Sequence, residues 1–191
     1  LIRIIDKTKF NFKYIDLGGG MGIDYVGNNK ILNLKKYAFD INKFLKKNNS
    51  QIIFEPGRTI IGNAGYLISK IIYIKEGHKK DFVIIDAAMN DFMRPALYNA
   101  KHRIIPTVKK NKRIKKIYEF VGPICESTDR FSTIRMSQRL NEKDFVVICD
   151  VGAYGMSLSS NYNLRPKAAE LLIEKSKIKI IGKRQSLKDL M

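Results

Sequence analysis

The run Gly122-Pro123-Ile124-Cys125-Glu126-Ser127-Thr128-Asp129 holds the most suggestive chemistry in the chain. A thiol beside a carboxylate can supply a proton and grip an ammonium group from one place. The run follows an apolar segment (Ile117, Tyr118, Phe120, Val121) whose β-branched and aromatic content suits a strand. The Gly-Pro pair ends that strand, which puts Cys125 and Glu126 on a loop. A lone cysteine is more often a buried structural residue, with any acid beside it a solvated turn. The functional reading therefore needs support from elsewhere in the chain.

Four other runs supply it. In Asp91-Phe92-Met93-Arg94-Pro95-Ala96-Leu97-Tyr98 the proline suits the first turn of a helix. Arg94 and Tyr98, one turn apart, then approach the same ligand, and a guanidinium fork with a phenol recognises a carboxylate. A helix cap with a core aromatic would explain Tyr98 and leave Arg94 unused. Glu55-Pro56-Gly57-Arg58 sets an acid, a tight turn and a guanidinium at a strand end, where a surface salt bridge is the plain alternative. Gly18-Gly19-Gly20-Met21-Gly22 also follows a strand. Its amides can face a phosphate without Cβ interference, although glycine turns often serve packing alone. It is neither a dinucleotide fingerprint nor a Walker loop. Gly152-Ala153-Tyr154-Gly155 flanks a ring with small residues that leave it accessible, the alternative being a core tyrosine. His78 and His102 have no metal-ligand spacing. Both are expected at the surface, and no metal is expected.

The elements that must carry these runs fall into two styles. Residues 12–17 form an apolar strand entering the glycines. Leu34, Tyr37, Ala38, Ile41, Phe44 and Leu45 recur at helical spacing, and residues 51–54 form a second short strand. Strand, glycine loop, helix and strand make the βαβ rhythm of a parallel sheet or barrel. Residues 64–70 are expected to be a short helical connector. Strands are then expected at 71–75, 82–87, 103–108, 117–121, 145–150 and 178–181, with one helix after Pro95 and a charged hairpin or loop at 109–116. Few helices among many short strands argue a β-rich second domain, so the division is placed as 1–62 and 63–191.

Composition narrows the classes. The 191 residues are 45% hydrophobic, enough for one sizeable core or parts of two. No apolar run approaches the ~18 residues of a membrane span, and no membrane partner is expected. Two cysteines make no disulfide framework, which favours a reducing, cytoplasmic setting. The net charge of +18 admits a nucleic-acid partner. The cations are scattered in Lys-Lys and Lys-Asn clusters amid abundant Ile and Asn, as an AT-rich coding sequence would produce. A basic surface suits a phosphate cofactor equally well, and nucleic acid is not the expected partner.

Taken in order, IDLGGGMGIDY, FEPGRTI, DAAMNDFMRPALYNA, VGPICESTD and GAYGMSLSSNYNLRP resemble diaminopimelate decarboxylase, a fold-type III pyridoxal-dependent family. The likeness runs from about Asn11 to the end. It implies a fold of α/β plus β: the C-terminal part of a (β/α)8 barrel that binds pyridoxal 5'-phosphate, followed by a β-rich, sandwich or Greek-key-like domain. It also implies decarboxylation of meso-diaminopimelate to L-lysine in a homodimer with shared active sites.

Carried onto matching positions, the resemblance gives Gly18, Gly19, Gly20, Glu55, Pro56, Gly57 and Arg58 the cofactor phosphate. Arg58, Arg94 and Tyr98 take the distal carboxylate, Glu126 takes the distal ammonium, and Tyr154 contacts both cofactor and substrate. Cys125, reaching in from the partner subunit, is the proton donor. The family's Schiff-base lysine lies in a Tyr-x-x-Lys-Ala-Asn-like motif that nothing here matches. The expectation is therefore the C-terminal part of the enzyme, inactive by itself. An ornithine- or arginine-type decarboxylase is the nearest rival, and a non-catalytic dimerising module is the rival from another class.

Overall fold

The segment at 34–45 shows how periodicity becomes structure. In the computed structural model, which describes residues 2–8, 10–28, 31–46, 49–110 and 113–191, it forms helix α2 (Leu34–Leu45). Asn33 caps it, its side chain accepting from the Lys36 amide at 3.0 Å. Phe44 on the apolar stripe is buried. A short helix α1 (Ile2–Thr8), not expected from the sequence, precedes it. Strands β1 (Tyr14–Asp16) and β2 (Gln51–Ile53) flank α2 and pair in parallel, Ile15 opposite Ile52. A parallel pair needs such a crossover, and this is the expected βαβ unit.

Beyond it come α3 (Gly57–Ile61) and a 3-10 turn, Gly62–Ala64. The chain then enters β3 (Tyr66–Lys75), a ten-residue strand that corrects the expected helical connector at 64–70. Leu67, Ser69 and Ile71 turn toward the core while Tyr66 and Ile68 face out, a period of two. Pairing with β8 (Phe145–Cys149), Tyr66 opposite Cys149 and Ile68 opposite Val147, decides what an isolated apolar run leaves open.

The other strands are β4 (Asp81–Ile85), β5 (Ile104–Pro106), β6 (Arg113–Val121) and β7 (Arg130–Gln138). They assemble in the order β5-β8-β3-β4-β6-β7, antiparallel throughout except for β4 with β6. The expected loop at 109–116 is corrected in part, because Arg113 onward belongs to β6; residues 111–112 lie outside the described residues. The core of this sheet is Ile71, Val83, Ile85, Phe120, Val146 and Ile148, all fully buried. Helix α4 (Arg94–Tyr98) follows β4, with Pro95 in its first turn as expected. Last comes a hairpin of β9 (Glu170–Glu174) and β10 (Lys177–Gly182), which among the described residues pair only with each other. No helix among the described residues is long and apolar enough to cross a membrane.

Candidate functional site

Each glycine after β1 has its own physical reason. Gly18 and Gly20 hold φ of +63° and +74°, a region that favours glycine. A Cβ on Gly19 would lie 2.5 Å from the Glu55 carbonyl oxygen. The Gly18 amide donates to Asp16 Oδ1 at 2.7 Å, and the Glu55 amide donates to the Gly18 carbonyl at 2.9 Å. The glycine loop is thereby laid against the Glu55-Pro56-Gly57-Arg58 turn.

Between them opens a cleft of about 390 Å³, lined by Gly19, Gly20, Met21, Glu55, Pro56, Gly57, Arg58 and Tyr154. A Cβ at Gly20 or Gly57 would meet nothing within 4 Å, so bare backbone borders this space. Among the described residues, the Gly19 and Gly20 amides donate to no other group of the chain. Free amides beside a guanidinium suit a phosphate, and these residues fit the phosphate end of pyridoxal 5'-phosphate.

Tyr154 reaches the cleft from the other end of the chain because two glycines abut. A Cβ on Gly152 would sit 2.0 Å from the Ile61 carbonyl oxygen, and one on Gly65 would sit 2.2 Å from the Gly152 amide nitrogen. The Gly152 amide donates to the Gly62 carbonyl at 3.0 Å, and the Val151 amide donates to that of Gly65 at 2.9 Å. Tyr154 itself has φ of +61°, costly for a side-chain-bearing residue and set here by its anchored neighbours.

Arg94 is only 6% exposed. Its Nη1 donates to Tyr25 Oη at 2.6 Å and lies 3.1 Å from His102 Nε2. The guanidinium sits over the Tyr25 ring at 4.7 Å and 5.9 Å from the Tyr154 ring centre. Its Nε is buried without a hydrogen-bond partner. Among the described residues, no carboxylate lies within ion-pair distance of it.

His102 is 3% exposed, which corrects the expectation of a surface residue; His78 is exposed as expected. Burial pushes the His102 pKa down, and nearby Arg94 adds to the effect against the opposing bond to the Cys149 carbonyl. Tyr98, with 62% of its surface exposed, does not join Arg94 in this pocket.

Cys125 and Glu126 lie elsewhere. Both are exposed on the β6–β7 loop, and neither lines the cleft. The loop is shaped from beneath by buried Asp129, whose two oxygens accept from the Met89 amide at 2.7 Å and the Ile124 amide at 2.8 Å. Burial pushes the Asp129 pKa up, against those two bonds. Tyr162 Oη donates to Glu126 Oε1 at 2.6 Å. The segment bearing Tyr162 is docked through buried Asn90, which bonds the Ser160 backbone and Arg165 Nε.

Most of the expected cofactor residues thus converge on one cleft, with Arg94 behind Tyr154, while Tyr98, Cys125 and Glu126 stand apart. Sequence reasoning missed Tyr25, His102, Asp129 and Tyr162. Tyr25, Asp129 and Tyr162 sit inside motifs already quoted, and membership of those motifs was the available signal; His102 lies outside them.

The description of a pyridoxal-dependent decarboxylase C-terminal sheet domain matches residues 5–152. Over 186 residues the chain is 42% identical to a diaminopimelate decarboxylase of Aquifex aeolicus, covering 97% of this chain and 44% of that protein. It is 44% identical over 181 residues to one from Helicobacter pylori, covering 94% of this chain and again 44% of the relative. A crystal structure of diaminopimelate decarboxylase from Helicobacter pylori complexed with L-lysine superposes with a TM-score of 0.83 at 40% identity, covering 98% of this chain and 46% of that one. The chain spans a little under half the length of the curated relatives it matches.

Proposed function

The chain belongs to the pyridoxal-dependent decarboxylases, and from that premise we propose that it serves the decarboxylation of meso-diaminopimelate to L-lysine and carbon dioxide. The observation that carries this reading is Arg94. A buried cation without a counter-ion is costly, and a substrate carboxylate supplies the missing anion. Ornithine- and arginine-type substrates have no distal carboxylate and would leave the guanidinium unpaired. Residues 1–62 then act as the end of the cofactor barrel. Residues 63–191 act as the domain that shapes the substrate site and the dimer interface.

The amides of Gly19 and Gly20, the turn at Glu55, Pro56 and Gly57, and the Arg58 guanidinium hold the cofactor phosphate, with Gly18 setting the turn. When bound, pyridoxal phosphate supplies the electron sink for the bond to the departing carboxyl group. Tyr154 covers cofactor and substrate. Arg94, helped by Arg58 and by Tyr98 from the solvent-exposed side of the pocket, holds the distal carboxylate.

Glu126 accepts from the distal ammonium, and the Cys125 thiol gives its proton to the carbon that lost carbon dioxide. The resulting thiolate is reprotonated from water. Both residues are exposed and absent from the lining of their own chain's cleft, which supports delivery in trans from the second subunit of a homodimer. Both cysteines are unpaired, in keeping with the reducing cytoplasm.

A chimera in which this chain replaces the matching part of the Aquifex aeolicus enzyme tests the reading. It should release carbon dioxide and L-lysine from meso-diaminopimelate. Preference for ornithine or arginine would reject the substrate assignment. A folded dimer that binds the cofactor and turns over none of the three would favour a non-catalytic module.

A further inference from the structure

Arg94 has five N–H donors, and the structure shows which are spent. Nη1 carries two, one directed to Tyr25 Oη at 2.6 Å and the other toward His102 Nε2 at 3.1 Å. The second assignment follows from the far side of the imidazole. His102 Nδ1 lies 2.9 Å from the Cys149 carbonyl oxygen, which can only accept, so Nδ1 bears the hydrogen. Nε2 of the neutral ring then offers a lone pair, and the donor facing it is Arg94. A charged imidazole would set N–H against N–H and cation against cation.

The ring is also clamped against rotation. Phe92 meets it edge-on at 4.7 Å and 84°, and Tyr25 does so at 4.6 Å and 65°. Tyr25 is itself held by a turn in which Asp24 Oδ1 accepts from the amides of Val26 and Gly27 at 3.1 and 2.9 Å.

The donors left over are Nε–H, buried and unpartnered, and the two of Nη2, which have no partner among the described residues. Nε and Nη2 share one edge of the guanidinium plane, and that edge matches the two oxygens of a carboxylate. We propose that Tyr25 and His102 are positioning residues that fix the Nη1 corner of Arg94 and thereby aim its Nε–Nη2 edge at the distal carboxylate. This rests on the reading of Arg94 given above and adds to it which edge binds, and what orients it. Tyr25 comes from the cleft loop and His102 from beyond α4, so the pocket joins the cofactor side to the substrate side.

The test uses the 191-residue chain with ¹⁵N-labelled histidine and arginine, and glutarate as the probe. At about pH 7 the His102 ring should show a protonated Nδ1 and an unprotonated Nε2; the opposite tautomer or an imidazolium overturns the proposal. Glutarate should shift the Arg94 Nε–H resonance. His102→Leu should weaken glutarate about tenfold by leaving Nη1 without its acceptor. Tyr25→Phe should act in the same direction. His102→Gln, whose Oε1 can replace Nε2, should stay within about threefold of wild type, a rescue that simple core filling would not give.

If Arg94→Gln abolishes the glutarate response while His102→Leu and Tyr25→Phe bind normally, the positioning role is wrong and the carboxylate reading survives. If Arg94→Gln changes nothing, or glutarate never shifts Nε–H, the carboxylate reading fails and takes this proposal with it. Should His102→Leu not fold, Tyr25→Phe and the wild-type tautomer still decide.

Discussion

The Arg94 pocket and the Cys125–Glu126 loop carry opposite halves of the proposed chemistry, and they are built in opposite ways. Around Arg94 every support comes from inside the chain: Tyr25, His102, Phe92 and Tyr154, drawn from segments far apart in sequence. The guanidinium is bonded at one corner and, among the described residues, unpartnered along one edge. In the loop the support comes from Asp129 and the hairpin backbone beneath and from the Tyr162 hydroxyl beside Glu126, while the thiol above is open to solvent. If the proposed roles hold, the contrast teaches that carboxylate recognition is preassembled within one chain, whereas proton delivery is only presented by it. A site shared between subunits, as proposed, would divide its labour along that line.

Four changes would break or sharpen the contrast. The largest effect should come from Gly152→Ala, whose methyl would strike the Ile61 carbonyl. It should cost about 3 kcal/mol in urea unfolding and misplace Tyr154. A variant as stable as wild type would mean that this seam yields and the pocket is less preassembled than described.

Next, Arg94→Lys in the active chimera should weaken use of diaminopimelate by about 2 kcal/mol in kcat/KM, through loss of the fork. Cofactor affinity should be unchanged; loss of the cofactor instead would move Arg94 to the other side of the site.

Asp129→Asn puts an amide donor where two backbone N–H groups need acceptors, and should cost about 2 kcal/mol. Its pH dependence has a definite sign. Burial holds the folded-state pKa of Asp129 above the ordinary value of 3.8, so the folded chain binds this proton more tightly than the unfolded one. The stability that this proton confers is complete below that value and is lost as pH rises through the folded pKa. The penalty of Asp129→Asn should therefore be larger in acid than at neutral pH, as paired urea titrations would show.

The smallest effect is the most diagnostic. Cys125→Ser should change stability by less than about 0.5 kcal/mol, as expected of an exposed side chain with no structural task. A large loss would make Cys125 part of the loop's framework and remove the distinction.

How much of this could be read beforehand varies with how local the cause is. Helix α2 was legible because its apolar spacing is written within a dozen positions; its cap at Asn33, equally local, was not read. The cleft was legible because glycines that need positive φ, or that lie against a carbonyl, are themselves the signal. The first half of β3 was not, since Tyr66 to Lys70 becomes a strand only through its pairing with β8, far along the chain. Strand β7 was also missed, because Phe131 and Met136 are its only buried side chains. His102 looked like a surface residue among Lys101 and Arg103. Its burial depends on Tyr25 and Cys149, which no local pattern names. Long-range partners, rather than composition, set the limit.

The contact of Gly65 with Gly152 has a consequence for the gene as well as for the fold. A methyl at Gly65 would meet the amide nitrogen and Cα of Gly152 at 2.2 and 2.4 Å, and one at Gly152 would meet the Ile61 carbonyl oxygen. In both cases the obstacle is main chain, which no exchange of side chain removes. A damaging mutation at either codon therefore has no compensating substitution on the facing residue. In a selection for revertants, recovery should come overwhelmingly through restoration of glycine at the mutated codon itself, and two such lesions combined should deepen the defect rather than cancel it.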